Sequence, residues 1–492
     1  MKTVHREWLL VGLLLLIMVV KGLLWSLAFP LWQGPDEDDH YAVIQFIAEN
    51  GRLPDVNDTF LPDEVALSRE IADVGRLDYA PEQRQAWSDT AVGLNEAQFA
   101  QLPVTKRASF DTGITGKLMK GTPFYYMLGA GVYRLFPDGD LLTRVFVQRF
   151  FATLMSSPLV VVAYLIARLL FPTDAATHSM MRLTVPTLVA FHPLITEITA
   201  IVSVDGFYNV CYALLIYLTL RLLRDQFTWK LGTAIGLTFA IGLLTKPTIN
   251  GFAPLVALAV AVDWWRGKGR RWQVVRDVAI MGVVILLPSG WWMLRSLRIN
   301  NDLFYFNPVL EGHRIIQNPF YDYKPLVHAW HYYQSVWGGI FVSWWGLFGW
   351  LDTPLPPWVY YLLRGLTVAA IAGLAWLWWR RHTQSPSRSE WQIGQRMAPV
   401  GVWLFLALAL LTPVVLLQFY DLTFWWEYGN GRGLQGRYWL GTAVPMLTFW
   451  ALGLLVWLPR KWQPIGHHLL RGSMVLFNFV SLLGYILPRY YL

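Results

Sequence analysis

Long apolar stretches dominate this chain, and most of the polar connections between them are too short to fold separately. Eleven such stretches fall near residues 8–29, 149–170, 183–201, 206–222, 231–246, 250–263, 277–293, 358–379, 398–419, 437–458 and 472–488. A helix needs about 20 largely apolar residues to cross a bilayer. The pattern therefore predicts an all-α membrane protein with about 11 transmembrane helices, forming a single domain over residues 1–492. Ser26-Leu27-Ala28 loosely resembles a signal-peptidase site, but Pro30 and an acidic cluster follow at once, so the first run is expected to stay as a helix.

One shorter apolar stretch, 122–136, sets the orientation of everything after it. If it crossed, the basic groups around Arg221/Arg224/Lys230, Arg266/Lys268/Arg270/Arg271, Arg380/Arg381/Arg388/Arg396 and Arg460/Lys461/Arg471 would all face outward, against the positive-inside rule. Laid flat in the interface, it returns all four groups to the cytoplasm, and its length suits that role. The expected topology has the amino terminus inside and the carboxyl terminus outside. Two large segments, 31–146 and 295–357, then lie outside. The first carries an amphipathic helix over 40–49, with Tyr41, Ile44, Ile47 and Ala48 at helical spacing, and short helices further on. The stretch 381–396 reads as a solvated linker.

Composition sharpens this picture. Only 15% of residues are charged, against roughly 25% in soluble domains, and 27 tryptophans are available for the membrane boundary. The net charge of +8 is accounted for by Lys and Arg in cytoplasmic loops, so nucleic acid is not an expected partner. The single cysteine, Cys211, can form no internal disulfide.

The polar residues nearest the outer helix ends are the candidates for chemistry. Asp36, Glu37, Asp38, Asp39 and His40 follow the first run directly. A single carboxylate would suffice to cap the next helix, and this cluster supplies four. Asp36, Glu37 and His40 also offer oxygen and imidazole ligands suited to Mg or Mn, so a divalent metal is a candidate cofactor. Asp205 opens another run, as an N-cap or a second site acid. Lys246, Arg295, Arg298, Arg432 and Arg437 are cations at corresponding outer positions. Singly they read as headgroup anchors; together they oppose the charge rule and suggest a bound phosphate. Lys21, inside the first run, is expected to turn into the bundle, and His192-Pro193 to kink the third. The Trp-rich stretches 337–350 and 425–428 supply interfacial anchors, with rings to spare for an isoprenoid chain or a sugar.

These elements stand in a suggestive order: Pro35-Asp-Glu-Asp-Asp-His40, Ile201-Val-Ser-Val-Asp205, Thr245-Lys-Pro247, Trp292-Met-Leu-Arg295 and Gln435-Gly-Arg-Tyr438. The arrangement resembles the GT-C superfamily of membrane glycosyltransferases, relatives of aminoarabinose transferases and protein O-mannosyltransferases. It is most similar to prokaryotic multi-pass proteins with Pro-Asp-Glu-x-x-His and Gln-Gly-Arg-Tyr motifs. The resemblance implies a GT-C-like fold in the plasma (inner) membrane with its active site facing the exterior or periplasm. It implies Asp36 as catalytic carboxylate with Glu37 beside it, and His40, Asp205, Lys246, Arg295, Arg437 and Tyr438 as substrate-binding residues. Lys120-Gly-Thr-Pro-Phe departs from the family's Lys/His-Pro-Pro pattern, so Lys120 is not carried over as a phosphate ligand.

The implied partners are a polyprenyl-phosphate-linked sugar donor, a glycan, lipid or protein acceptor, and membrane lipids. A glycosyl phosphate already has a good leaving group, so cations on the phosphate and one carboxylate for the acceptor's proton suffice. A single displacement inverts the anomeric carbon. The alternatives are a lipid or glycolipid transporter or flippase, and a non-catalytic partner in envelope polysaccharide assembly. Against the former stands the lack of paired half-chain symmetry in the sequence.

Overall fold

The computed structural model describes residues 2–72, 97–116, 118, 122–172, 176–267, 269–303, 326–383, 397–428 and 434–491. Lys120, Arg432 and most of the 381–396 linker lie outside these residues. The described chain is helical almost throughout; its one sheet there is the two-residue pairing of Leu347–Phe348 with Thr353–Pro354.

All eleven apolar runs lie on helices, but they are not equivalent. Nine described helices are long and apolar enough to cross a membrane, from His5–Ala28 to Arg460–Tyr491. A further apolar pair, Thr177–Phe191 with Pro193–Ala200, bends by 55° where Pro193 removes a backbone donor, and makes a tenth span if its two halves cross as one. The remaining run forms Trp229–Leu243, 15 residues, which packs along Arg271–Asn300. At about 1.5 Å per residue it rises only roughly 22 Å, yet it returns the chain from the Arg224 end of Val204–Arg224 to Lys246 beside Asp205, as an eleventh crossing would. The stretch around 122–136 gives an 11-residue helix, Pro123–Tyr133, rising roughly 17 Å against a hydrocarbon core of about 30 Å.

Small residues let the helices approach. Pro357–Thr383 crosses Ala443–Leu455 where a Cβ on Gly453 would lie 2.1 Å from the Ala370 carbonyl oxygen, so the contact needs glycine. The central core joins Leu159–Leu170, Val204–Arg224 and Ala443–Leu455. A second apolar cluster, from Leu31 to Val204, holds the 31–146 segment against one end of the bundle. Lys21 turns inward as expected: it is buried, donates to Thr196 Oγ1 and lies 5.2 Å from the Phe191 ring centre.

The described parts of the 31–146 segment are fastened by arginines, one of them, Arg144, fully buried. Arg144 donates to both oxygens of Glu64 at 2.6 and 3.0 Å and to the hydroxyls of Tyr41 and Tyr133. Arg134 holds the Ala48 carbonyl at 2.8 Å, closing the last turn of Glu37–Asn50 before Gly51 takes a left-handed φ of 67°.

Candidate functional site

The site begins at the carboxyl end of the first helix, Lys2–Ala28, whose last carbonyls have no partner of their own. Arg149, on Leu141–Ser156, donates to the carbonyls of Ser26 and Phe29 at 2.6 Å and Pro30 at 3.0 Å, and grips the two oxygens of Glu37 at 2.7 and 2.6 Å. These bonds use every donor a guanidinium has. Glu37 Oε1 also accepts the Val202 N–H at 3.0 Å. The buried carboxylate therefore ties helix Glu37–Asn50 to the first helix and to the turn before Asp205.

Asp36, one residue earlier, does something different. It takes a left-handed conformation, φ 57° and ψ 17°, which aspartate adopts more readily than most residues with a Cβ. Its Oδ2 accepts from Arg437 Nη2 at 2.7 Å. Arg437 is aimed there by its neighbour: Gly436 donates to Ser343 Oγ at 2.8 Å, and a Cβ on it would come 2.3 Å from the Trp344 nitrogen. Arg437 Nη1 reaches the Pro35 carbonyl at 3.3 Å, while its buried Nε has no partner among the described residues.

A second acid–base pair lies beside the first. Ser203 caps Val204–Arg224, and Asp205 in its first turn holds Lys246 Nζ at 2.5 Å. Lys246 Nζ lies 5.5 Å from the ring centres of both Tyr208 and Tyr438, and the Arg437 guanidinium lies 5.2 Å from the same Tyr438 ring. Asp36, Asp205, Lys246, Arg437 and Tyr438 are thus brought together from four separate parts of the chain.

His40 joins through Tyr126, whose hydroxyl lies 2.7 Å from Nδ1 with the rings stacked at 5.9 Å. Tyr126 belongs to Pro123–Tyr133, which is pinned next to Lys246 by Phe124 N–H on the Leu244 carbonyl at 2.8 Å and by Thr122 on the Thr245 carbonyl. Burial, then Tyr125, Asp205, Asp39 and Asp36, push the Tyr126 hydroxyl well above the ordinary range. It stays protonated and shares its hydrogen bond with His40. Asp38 points away from the pair and meets Arg69 at 3.0 Å; burial, then Asp39, push its carboxyl up to about 7 against the opposing Arg69.

Arg295 is not brought into this group. It donates to the Pro54 carbonyl at 2.6 Å, and among the described residues no ion pair joins it to Asp36, Asp205 or their partners. Nor do Asp36, Glu37 and His40 assemble as metal ligands: successive helix positions point in different directions. Glu37 is consumed by Arg149, and among the described residues no three His, Cys, Asp or Glu are placed to hold a metal ion.

Three residues that the sequence reading passed over belong to the site. Arg149 sat at the edge of an apolar run and looked like a span terminus, and Tyr126 lay without a role of its own in the short apolar stretch 122–136. Glu197, inside the third run, carried the clearest missed signal, since an acid within a span is rarely idle. It is buried on Pro193–Ala200, accepts the Gly349 N–H at 2.6 Å, and lines a cleft shared with Pro35 and Arg437.

Residues 19–446 match a protein family described as "Predicted membrane protein (DUF2142)", and the chain belongs to that family of multi-pass membrane proteins. Comparison with curated proteins and with solved structures finds no match.

Proposed function

We propose that this member of the DUF2142 family is a membrane glycosyltransferase of the GT-C type, which moves a sugar from a polyprenyl-phosphate donor to a glycan, lipid or protein acceptor outside the cytoplasm. The amino terminus lies in the cytoplasm and the carboxyl terminus outside a prokaryotic plasma membrane, so that all four basic loop groups face inward. The reading is carried by one observation: the Asp36 carboxylate is paired with Arg437, which keeps an unused donor and shares the Tyr438 ring with a second cation, Lys246.

In this reading the donor's phosphate sits against Lys246 and Arg437, whose charge grows in value as the leaving group gains negative charge. An acceptor hydroxyl attacks the anomeric carbon as the bond to the phosphate oxygen breaks. The electron pair leaves on the phosphate, and the hydroxyl proton passes to Asp36. Attack opposite the leaving group inverts the centre. Glu37 is a positioning residue that fixes Asp36 through Arg149, and the Tyr126–His40 pair orders the same helix end.

The test is transfer by purified protein in lipid nanodiscs, offered synthetic polyprenyl-phosphate monosaccharides and an extract of envelope acceptors. Release of polyprenyl phosphate that depends on Asp36 supports the reading; donor bound and turned over equally by the Asp36→Asn protein overturns it. The 55° break in the crossing that carries His192, beside buried Lys21, favours a flippase as the second reading, since broken helices serve alternating access. Movement of the intact donor across vesicles without transfer would select it.

A further inference from the structure

Glu197 and Arg437 share a cleft that the chemistry proposed above does not use. It is lined by apolar residues, among them Pro35, Leu194 and Ile198, and by the polar Glu197, Gln435 and Arg437. One Glu197 oxygen is held by the Gly349 N–H at 2.6 Å, which fixes the carboxylate plane; among the described residues the other, Oε2, accepts no hydrogen bond. Across the cleft, Arg437 Nε–H is buried and also has no partner among them. A fixed acceptor and an unpartnered buried donor thus belong to two residues that line one cleft. Leaving the buried Arg437 donor unpaired is expensive, on the order of 1–3 kcal/mol. The free room is about that of one water molecule, far too small for a whole sugar ring.

We infer that this cleft receives a single hydroxyl, or hydroxymethyl arm, of the sugar being transferred. The hydroxyl donates to Glu197 Oε2 and accepts from Arg437 Nε–H, while the ring carbons rest against Pro35 and Leu194. A hydroxyl is the group that fits both needs: it is donor and acceptor at once, uncharged, and the size of the water it replaces. Glu197 is then a specificity-determining residue, distinct from the base. Arg437 links the two functions, holding the leaving phosphate on one side and gauging the sugar on the other. The assignment rests on the glycosyl-transfer reading.

The experiment compares kcat/KM for one transferred sugar and its set of single-deoxy analogues, each on the same polyprenyl phosphate. The protein should reject one analogue by about 100-fold or more, since a site built to bond a hydroxyl discriminates strongly against its absence. Glu197→Gln retains an acceptor for Gly349 N–H but sets an amide in place of the carboxyl, and should shrink that ratio about tenfold. Glu197→Ala should erase it. A thermal melt of each variant confirms that it is folded. If the parent transfers sugar and the folded variants keep the same ratio, the hydroxyl assignment is wrong and the glycosyl-transfer reading stands. If the parent transfers from none of the donors, the reading itself fails, and the hydroxyl assignment falls with it.

Discussion

Glu37 and Arg149 form a two-pronged ion pair, at 2.7 and 2.6 Å, buried where the first helix ends. Removing one partner strands the other charge, which typically costs about 3–5 kcal/mol. Arg149→Met should therefore lower the melting temperature sharply, and Glu37→Gln less, because the amide still accepts from Arg149. The combined variant should lose less than the sum of the two. Additive losses in a thermal melt would mean that the pair is not coupled.

For Asp36 the expectation is the reverse. Asp36→Asn keeps shape and fold but removes the proton acceptor, so transfer should fall about 10²- to 10⁴-fold with donor affinity little changed. Single-turnover rates and donor binding, measured separately, decide this. A wild-type rate would take Asp36 out of the mechanism.

Phosphate affinity should divide the cations. Lys246→Ala and Arg437→Gln each remove a charge-assisted hydrogen bond of about 1.5–3 kcal/mol, weakening polyprenyl-phosphate binding roughly 10- to 150-fold. Arg295→Ala, whose partner is the Pro54 carbonyl, should change affinity less than about twofold by the same argument. Equal losses at Lys246 and Arg295 would redraw the site.

How much of this was readable in advance differs by level. The spans were visible because apolar length is a one-dimensional property. Asp36, Lys246 and Arg437 were visible because charge at an outer helix end is unusual. What sequence could not supply was partner identity. Asp36 and Glu37 are neighbours of the same chemical kind, and only the positions of Arg149 and Arg437, far along the chain, give them different tasks. Arg295 looked equivalent to Arg437 for the same reason, since nothing local records that its guanidinium turns to Pro54.

Asp38 gives the chain a pH dependence of defined sign. Its carboxyl rises from an ordinary 3.8 to about 7 when folded, so between those values the folded protein holds a proton that the unfolded chain releases. That contribution to stability is complete below about pH 4 and is lost as pH rises through 7, by roughly 4 kcal/mol at most, from ~1.4 kcal/mol per pH unit. Melting temperature should fall between about pH 4 and 7 and level off above that, and Asp38→Asn should flatten the trend. An unchanged slope in the Asn variant would assign the effect elsewhere.

Topology is open to chemical labelling because the sole native cysteine, Cys211, is buried. A cysteine introduced at Asp138, in the turn after helix Pro123–Tyr133, should react with an impermeant maleimide added outside intact cells. Labelling there only after the cytoplasmic face is opened would invert the orientation.

The Asp36–Arg437 contact joins positions 401 residues apart. During synthesis, at about 5–20 residues per second, the acid emerges roughly 20–80 s before its partner. Once Arg149 has emerged and gripped Glu37, the half-built bundle holds Asp36 next to it yet still lacks the Arg437 guanidinium. On the proposed glycosyl-transfer reading, nascent chains cannot act on a donor already present in the surrounding lipid, and competence arrives late and all at once, when the helix that follows Arg437 is threaded.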